Sequence, residues 1–218
     1  DSRGNEIRPA QIQHSMWQKS FISDPDGLLS QPLLFRLTKG THTIDIFSEH
    51  AAFAVEYLKF CNPEELPDYE EYKNSVNAPF AENSQLIRIE GENALYKSDS
   101  SLSPSWDNTS YITSPSDPVK LLCNTIGKDS WKKSAQTLTW EISQEEIGNG
   151  GWFRLGIKAR QNQMRGFFSN RRIYVDGEVP CKELDCVEFF YDTHWNNVTP
   201  KTERGEDIYI YLSGGKSH

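Results

Sequence analysis

The sequence lacks the signals of a membrane protein and of a zinc protein. No apolar run among its 218 residues approaches the span of about 20 residues that a transmembrane helix needs. The four cysteines (Cys61, Cys123, Cys181 and Cys186) show no CxxC spacing and no accompanying pair of histidines, which argues against zinc. A disulfide between Cys181 and Cys186 and free thiols both remain open at this stage.

Catalytic fingerprints are also absent. No motif typical of serine hydrolases, zinc peptidases, P-loop proteins or dinucleotide-binding proteins occurs. The acidic pair Glu145-Glu146 falls in a predicted turn, and adjacent side chains diverge, so it makes a poor glycosidase acid and base. We therefore expect a protein that is not an enzyme.

Basic residues are fewer than acidic residues, 23 against 31. The net charge is -8 and the isoelectric point is near 5.2. A nucleic-acid partner needs a basic surface, so the composition argues against one. The basic residues of Arg160–Arg172 form only a local patch on an acidic chain.

What the sequence does contain is a series of short alternating segments separated by glycine, proline and asparagine. No sustained 3.6-residue period occurs, so the pattern predicts an all-β fold, specifically a jelly-roll β-sandwich. The predicted strands used below are Thr41–Phe47, Phe53–Phe60, Leu86–Ala94, Phe153–Lys158, Arg172–Asp176, Val187–Phe190 and Asp207–Leu212.

The organisation along the chain suggests three parts. Residues 85–218 are predicted to form the main β-sandwich, and residues 61–84 an acidic, proline-containing linker with one helical turn at Asp68–Lys73. Leu34–His42 and Ile210–His218 are similar, so residues 1–60 are predicted to be closing strands of a related jelly roll. Residues 41–60 then either complete the main sandwich, within the chain or by exchange, or belong with residues 1–40 to a separate remnant.

Several segments resemble the calcium-binding β-sandwich carbohydrate-binding modules of the galactose-binding-like superfamily. They are Ile89–Ala94, Thr139–Ile142, Ala159–Asn162, Ile173–Gly177, Trp195 and Ala54–Phe60. The linker and Arg172–Pro180 further resemble accessory regions of large surface solute-binding proteins of Gram-positive sugar ABC transporters. The resemblance implies an extracellular or cell-surface location, a glycan partner and neighbouring domains of a longer chain.

The resemblance also implies a structural calcium ion. Glu90 and Glu92 are two residues apart, so on a strand both side chains leave the same face. Glu56, on the segment that resembles the closing strand of the family, would supply a third carboxylate. Such oxygen ligands suit Ca²⁺. The alternative is a solvated edge with scattered acidic residues.

Sugar binding requires planar aromatic rings and polar groups that fork onto neighbouring hydroxyls. The candidates lie on predicted loops or strand ends: Trp131, Trp106, Arg160, Asn162 and Arg165. Trp131 could instead fold back over the sandwich, and Arg160 could form an ion pair with a neighbouring acid. Trp140 and Trp152 are predicted to lie in the core.

These observations favour a non-catalytic extracellular module that binds a carbohydrate through loop aromatic residues, arginine and asparagine. The alternative is a structural or protein-interaction sandwich that positions a neighbouring solute-binding domain. In that case Trp131 and Arg160 would pack against protein rather than line an open cleft.

Overall fold

A computed structural model describes residues 1–17, 19–24, 29, 32–47, 54–62, 65–82 and 84–218. The chain divides into two compact units, one formed by Asp1–His14 with Leu66–His218 and the other by Ser15–Glu65. We call them the large unit and the small unit.

The large unit is predominantly β-structure. Within the described residues, ten short strands pair antiparallel as five two-stranded sheets (β1 with β4, β2 with β3, β5 with β10, β6 with β9 and β7 with β8). The strands are β1 Tyr96–Lys97, β2 Pro104–Ser105, β3 Thr125–Ile126, β4 Leu138–Thr139, β5 Gly150–Arg154, β6 Ile157–Ala159, β7 Phe168–Arg171, β8 Val187–Phe190, β9 Asn196–Val198 and β10 Tyr209–Ser213. The predicted all-β class is confirmed, whereas the sheets are too small to establish a jelly roll.

Helices are few and short. Helix α1 spans Tyr69–Ser75, and a capping box in which Asp68 and Glu71 exchange hydrogen bonds fixes its start. Helix α2 spans Gln144–Ile147. Three 3₁₀ turns lie at Gly91–Asn93, Lys128–Ser130 and Lys182–Leu184. The helical turn predicted at Asp68–Lys73 is thus confirmed, and no helix of the described chain could span a bilayer.

The core is built on the pairing of β5 with β10. Ile210 and Leu212 of β10 are buried in one hydrophobic cluster with Ile147, Leu184 and Ile208. The opposite face carries an aromatic cluster around Trp152, whose ring is 1% exposed and contacts the rings of Tyr72, Phe80 and Tyr211.

Helix α1 closes the free edge of β10. The backbone amides of Tyr209 and Tyr211 donate hydrogen bonds of 3.0 Å to the hydroxyl oxygens of Tyr69 and Tyr72. An unpaired strand edge is a template for unwanted pairing, and here two tyrosine side chains satisfy it. The helical turn inside the predicted linker is therefore part of the large unit's packing.

Several strand predictions are wrong in detail. Leu86–Ala94 contains no strand, because Gly91 and Asn93 are poor strand formers and the chain makes a 3₁₀ turn there. The predicted strand Phe153–Lys158 is interrupted after Arg154 and resumes at Ile157. Instead of Arg172–Asp176, the structure has a strand at Phe168–Arg171, followed by a turn closed by the Val175–Glu178 bridge.

Other predictions hold. Val187–Phe190 is a strand with the predicted bounds, and Asp207–Leu212 is a strand shifted to Tyr209–Ser213. Phe153, Leu155 and Ile157 pack against the core while Arg154, Gly156 and Lys158 are exposed, as the alternation predicted.

The small unit has neither helix nor strand in its described part. The predicted strand Thr41–Phe47 is therefore absent. Of the second predicted strand, Phe53–Phe60, residues 54–60 are described and form no strand, and Phe53 lies outside the described residues. Apolar side chains here, such as those of Leu34, Ile46 and Phe60, are exposed. Because so little apolar surface is buried among the described residues of this unit, their backbone lacks the packing that stabilises a strand ladder.

Candidate functional site

A groove of about 390 Å³ opens between the β6–β9 pair and the β7–β8 pair. Gln161, Asn196 and Asn197 line it from the β6–β9 pair, and Glu188, Phe190, Tyr191 and Asp192 line it from β8 and the residues that follow. Its volume lies within the range of about 300–1,000 Å³ that is usual for small-molecule sites.

Backbone contacts join the two strand pairs at this groove. Gln161, just beyond β6, forms a parallel bridge with Tyr191, just beyond β8. The amide of Asp192 donates a hydrogen bond of 2.8 Å to the carbonyl of Gln161. The two walls are therefore fixed to one another by main-chain bonds, so the groove is preformed.

Strand alternation decides which side chains of β8 face outward. Val187 and Phe189 are buried in the core, so Glu188 and Phe190 point away from it. The same alternation on β7 places Phe168 outward, directly opposite Phe190, with ring centroids 5.5 Å apart. Phe168 is 48% exposed and Phe190 66% exposed, so this aromatic pair is open to solvent.

Polar groups in the groove divide into fixed and free ones. Asp192 accepts hydrogen bonds of 2.8 Å from the backbone amide of His194 and from the side-chain amide of Asn196. These bonds lower the pKa of Asp192 and keep its carboxylate ionised. By contrast, the side-chain amide of Asn197 and the hydroxyl of Tyr191 form no hydrogen bond with the part of the chain that is described. They are available to a ligand.

Arg160, at the end of β6, is committed to the protein itself. Its guanidinium lies 2.7 Å from a carboxylate oxygen of Asp107 and 5.0 Å from the ring centre of Trp195. Burial acts to raise the pKa of Asp107, but donors from Thr109 and Trp195 and the charge of Arg160 outweigh it, so this pKa is lowered. The ion-pair alternative for Arg160 is the arrangement found.

The other predicted sugar-binding residues are spread over the large unit. Trp131 donates from its indole N–H to the carbonyl of Gln136 at 3.1 Å and lies under the guanidinium of Arg171 at 4.6 Å. Trp106 lies under Arg8 at 4.8 Å and borders a crevice of only about 10 Å³, too small for a sugar. Both indoles are partly buried.

Asn162 and Arg165 are exposed in the loop between β6 and β7. Asn162 directly follows Gln161, yet neither it nor the four other predicted residues lines the groove. Of the two tryptophans assigned to the core, Trp152 is buried, and Trp140 is partly buried with its N–H donated to the carbonyl of Gly91 at 3.0 Å.

Sequence reasoning missed the residues that line the groove. A signal was present, because residues 191–197, which run from the end of β8 into β9, combine tyrosine, tryptophan, histidine, aspartate and two asparagines. Such a polar and aromatic turn on a β scaffold is typical of a binding loop.

The predicted calcium ligands lie in different surroundings. Glu90 forms an ion pair of 2.8 Å with Arg88, and one carboxylate oxygen of Glu92 is buried without a hydrogen-bond partner. Glu56 is exposed in the small unit. No group of three or more acidic, histidine or cysteine side chains in the described ranges could hold a metal. Calcium binding stays a prediction of the resemblance.

Glu92 leads to a prediction about pH. Burial, followed by the charge of Glu90, raises the pKa of Glu92, so the folded state binds its proton more tightly than the unfolded state. This stabilises the fold at acid pH, and the contribution is lost as pH rises through the folded pKa. Glu92→Gln should therefore raise the free energy of unfolding by about 1 kcal/mol at pH 7. Urea unfolding at pH 7 and pH 4 measures this.

The control is Glu90→Gln, because Glu90 is paired with Arg88 at the surface and its loss should cost little. A gain for Glu92→Gln that is no smaller at pH 4 would contradict the ionisation argument. The same unfolding curves, run with added calcium and with chelator, test the ion separately, since a bound ion raises the stability of the native protein.

The cysteines are all free. Cys181 is buried, and burial raises the pKa of its thiol to about 12, whereas Cys186 is exposed. Of the two arrangements left open by the sequence, the structure has free thiols, of which Cys181 is a core residue.

Comparisons with family models, with curated proteins and with solved structures found no match to this chain.

Proposed function

We propose that the protein is a non-catalytic carbohydrate-binding module and that the groove beside β8 and β9 is its binding site. The observation that carries the proposal is a preformed groove of about 390 Å³ in which aromatic rings and unsatisfied polar groups lie together. Saccharides offer apolar C–H faces next to hydroxyls, and that combination matches rings beside amides and carboxylates.

Each wall would have a separate role. The ring of Phe190 offers an apolar face to a pyranose, and the side-chain amide of Asn197 can donate to one hydroxyl while accepting from the next. The carboxylate of Asp192, held in place by His194 and Asn196, accepts a further hydroxyl. A preformed site loses little conformational entropy on binding. Affinity in the range of about μM to mM is expected for a single site.

The test is isothermal titration against a panel of neutral glycans. Asn197→Ala should weaken binding by about tenfold, since it removes hydrogen bonds worth about 1.4 kcal/mol from the complex. The matched control is Asn162→Ala, which deletes the same side chain from an exposed loop position outside the groove. It should leave affinity unchanged.

The opposite result, with Asn162→Ala weakening binding and Asn197→Ala not, would move the site to the loop before β7. Absence of heat with every glycan at millimolar concentration would reject carbohydrate binding altogether. Chromatography of the glycans after incubation checks the proposal that no glycosidic bond is cleaved.

A second candidate is a protein-interaction sandwich that positions a neighbouring solute-binding domain. It is favoured by the packing of Arg160 against Asp107 and of Trp131 against Arg171, both within the large unit. Under either function we propose an extracellular or cell-surface location. The glycan titration separates the two, because a purely structural sandwich should give no heat with any sugar, whereas Trp131→Ala should lower stability under either function.

A further inference from the structure

We infer that the ligand is an uncharged oligosaccharide chain that runs from the groove across the outer face of the β7–β8 pair. The inference rests on the proposed function and adds the length and charge of the ligand. It is drawn from the position of Phe168 and from the charges that line the groove.

The outward side chains of β7 and β8 form opposed pairs along the two strands. Phe168 lies directly opposite Phe190, and the next outward pair along the strands is Asn170 opposite Glu188. The side-chain amide of Asn170 and the carboxylate of Glu188 form no hydrogen bond with described residues. An aromatic pair followed by a polar pair therefore faces solvent.

Phe168 lies beyond the groove. Phe190 and Glu188 line it, but Phe168 and Asn170 do not. The groove volume is near the lower end of the range for small-ligand sites, about 300–1,000 Å³, so it has room for few sugar rings. A ligand that contacts both the groove and Phe168 must extend out of the groove.

The loop that precedes β7 also exposes large apolar side chains. Phe167 is 59% exposed and Met164 is 68% exposed. The aromatic pair of Phe168 and Phe190 itself lies beside the polar pair of Asn170 and Glu188. A face that combines exposed rings with polar groups suits an amphipathic chain such as a glycan.

The charges of the groove select against acidic sugars. Its charged side chains are Glu188, Asp192 and Lys201. The ammonium of Lys201 lies 3.5 Å from the carboxylate of Asp207, so its charge is partly compensated from outside the groove. Two carboxylates then dominate the electrostatic potential and repel uronic acids and sulfated sugars.

The experiment titrates the protein with neutral gluco-, manno- and galacto-oligosaccharides from mono- to hexasaccharide, and with uronic-acid oligosaccharides of the same lengths. Affinity for the preferred neutral sugar should rise with length. Phe168→Ala should weaken the longer ligands about 2- to 13-fold and leave the monosaccharide unchanged, since one aromatic contact is worth about 0.5–1.5 kcal/mol. The control is Tyr111→Ala, an aromatic residue that is 82% exposed and does not line the groove.

Three results would overturn the inference. Equal effects of Phe168→Ala on all lengths, or no effect on any, would remove the extended site while leaving the groove and its Asn197 dependence intact. Tighter binding of uronic-acid chains would reverse the charge assignment. Self-association of the wild type that Phe168→Ala abolishes, seen by light scattering, would assign the aromatic pair to a protein contact. A fourth result, no binding of any sugar to the wild type, would reject the proposed function together with the inference.

Discussion

Asp107→Ala is expected to destabilise the protein by about 3–5 kcal/mol, because it leaves the guanidinium of Arg160 partly buried without its partner. The side chain of Asp107 is 2% exposed and that of Arg160 is 15% exposed, and the two are 2.7 Å apart. In a domain whose total stability is about 5–15 kcal/mol, such a loss approaches unfolding.

Asp107 also joins several loops besides binding Arg160. Its carboxylate accepts the indole N–H of Trp195 at 2.9 Å and the hydroxyl of Thr109 at 2.6 Å. Its backbone amide and carbonyl bond the side chain of Asn124 at 2.7 and 3.0 Å. One substitution therefore releases the donors of Thr109, Arg160 and Trp195 from the carboxylate, whereas the backbone bonds to Asn124 are kept by alanine.

The matched control is Asp207→Ala. Asp207 forms an ion pair with Arg154 at the same 2.7 Å, but the two side chains are 26% and 56% exposed. Solvent screens such a pair, so its loss should cost far less than the loss of the buried pair. Urea unfolding of both variants gives the comparison, and equal losses would show that burial of the Asp107 pair contributes nothing.

The pH dependence has a definite sign. The pKa of Asp107 is lowered in the folded protein, so its contribution is present above the ordinary pKa of aspartate and is lost as pH falls through the folded pKa. The wild type should therefore lose more stability on acidification than an Asp107→Asn variant. The Asp207→Ala variant should keep the acid sensitivity that arises from Asp107.

This ion pair illustrates how much of the site the sequence could predict. The residue types around Arg160 suggested a polar site, and the alternative of an ion pair with a nearby acid was open. The sequence could not decide between them, because Asp107 is 53 positions away in the chain (160 minus 107). Pairings over such separations depend on tertiary packing.

Fold prediction succeeded where the local pattern is strong. Val187–Phe190 alternates cleanly between core and solvent, and Asp68 with Glu71 forms a capping box, so both elements were predictable. Glycine and asparagine broke the pattern at Gly91 and Asn93, and a two-residue gap at Leu155-Gly156 separates β5 from β6. At these positions the low strand propensity of glycine and asparagine ended the strand, although the alternation of apolar residues predicted that it would continue.

The groove required the tertiary structure. Tyr191 and Gln161 become neighbours only because a backbone bridge joins the ends of β8 and β6. The sequence shows the polar and aromatic segment that contains Tyr191, but it does not show that this segment lies next to Gln161. In sheets this short, each strand pair contributes few backbone hydrogen bonds, so single bridges between pairs determine which residues become neighbours.

Gly150→Ala is the second large effect. The backbone of Gly150 has φ of 79°, and a Cβ added there would lie 2.3 Å from the nitrogen of Gly214 and 2.6 Å from the carbonyl oxygen of Leu212. Both atoms belong to the backbone at the end of β10, so a change of side-chain rotamer cannot relieve the clash. We expect a loss of about 2–4 kcal/mol, combining overpacking with the strain of a positive φ.

The loss should spread into the core because Gly150 lies opposite Ser213 at the end of the β5–β10 register. Moving β10 by even a few tenths of an ångström disturbs Leu212, which is buried in the main cluster. Thermal unfolding followed by tryptophan fluorescence should show a lower midpoint, since Trp152 lies in the same strand pair.

Two other glycines separate the causes. Gly177 has φ of 84° with nothing within 4 Å of an added Cβ, so Gly177→Ala measures the cost of the backbone conformation alone, about 1–2 kcal/mol. At Gly156 φ is ordinary and the space is open, so Gly156→Ala should be neutral or slightly stabilising, because alanine restricts the unfolded chain. If Gly150→Ala lowers the free energy of unfolding by no more than Gly177→Ala does, the result would contradict a close approach of β5 and β10 at this point. A larger cost assigns the difference to the contact between the two backbones.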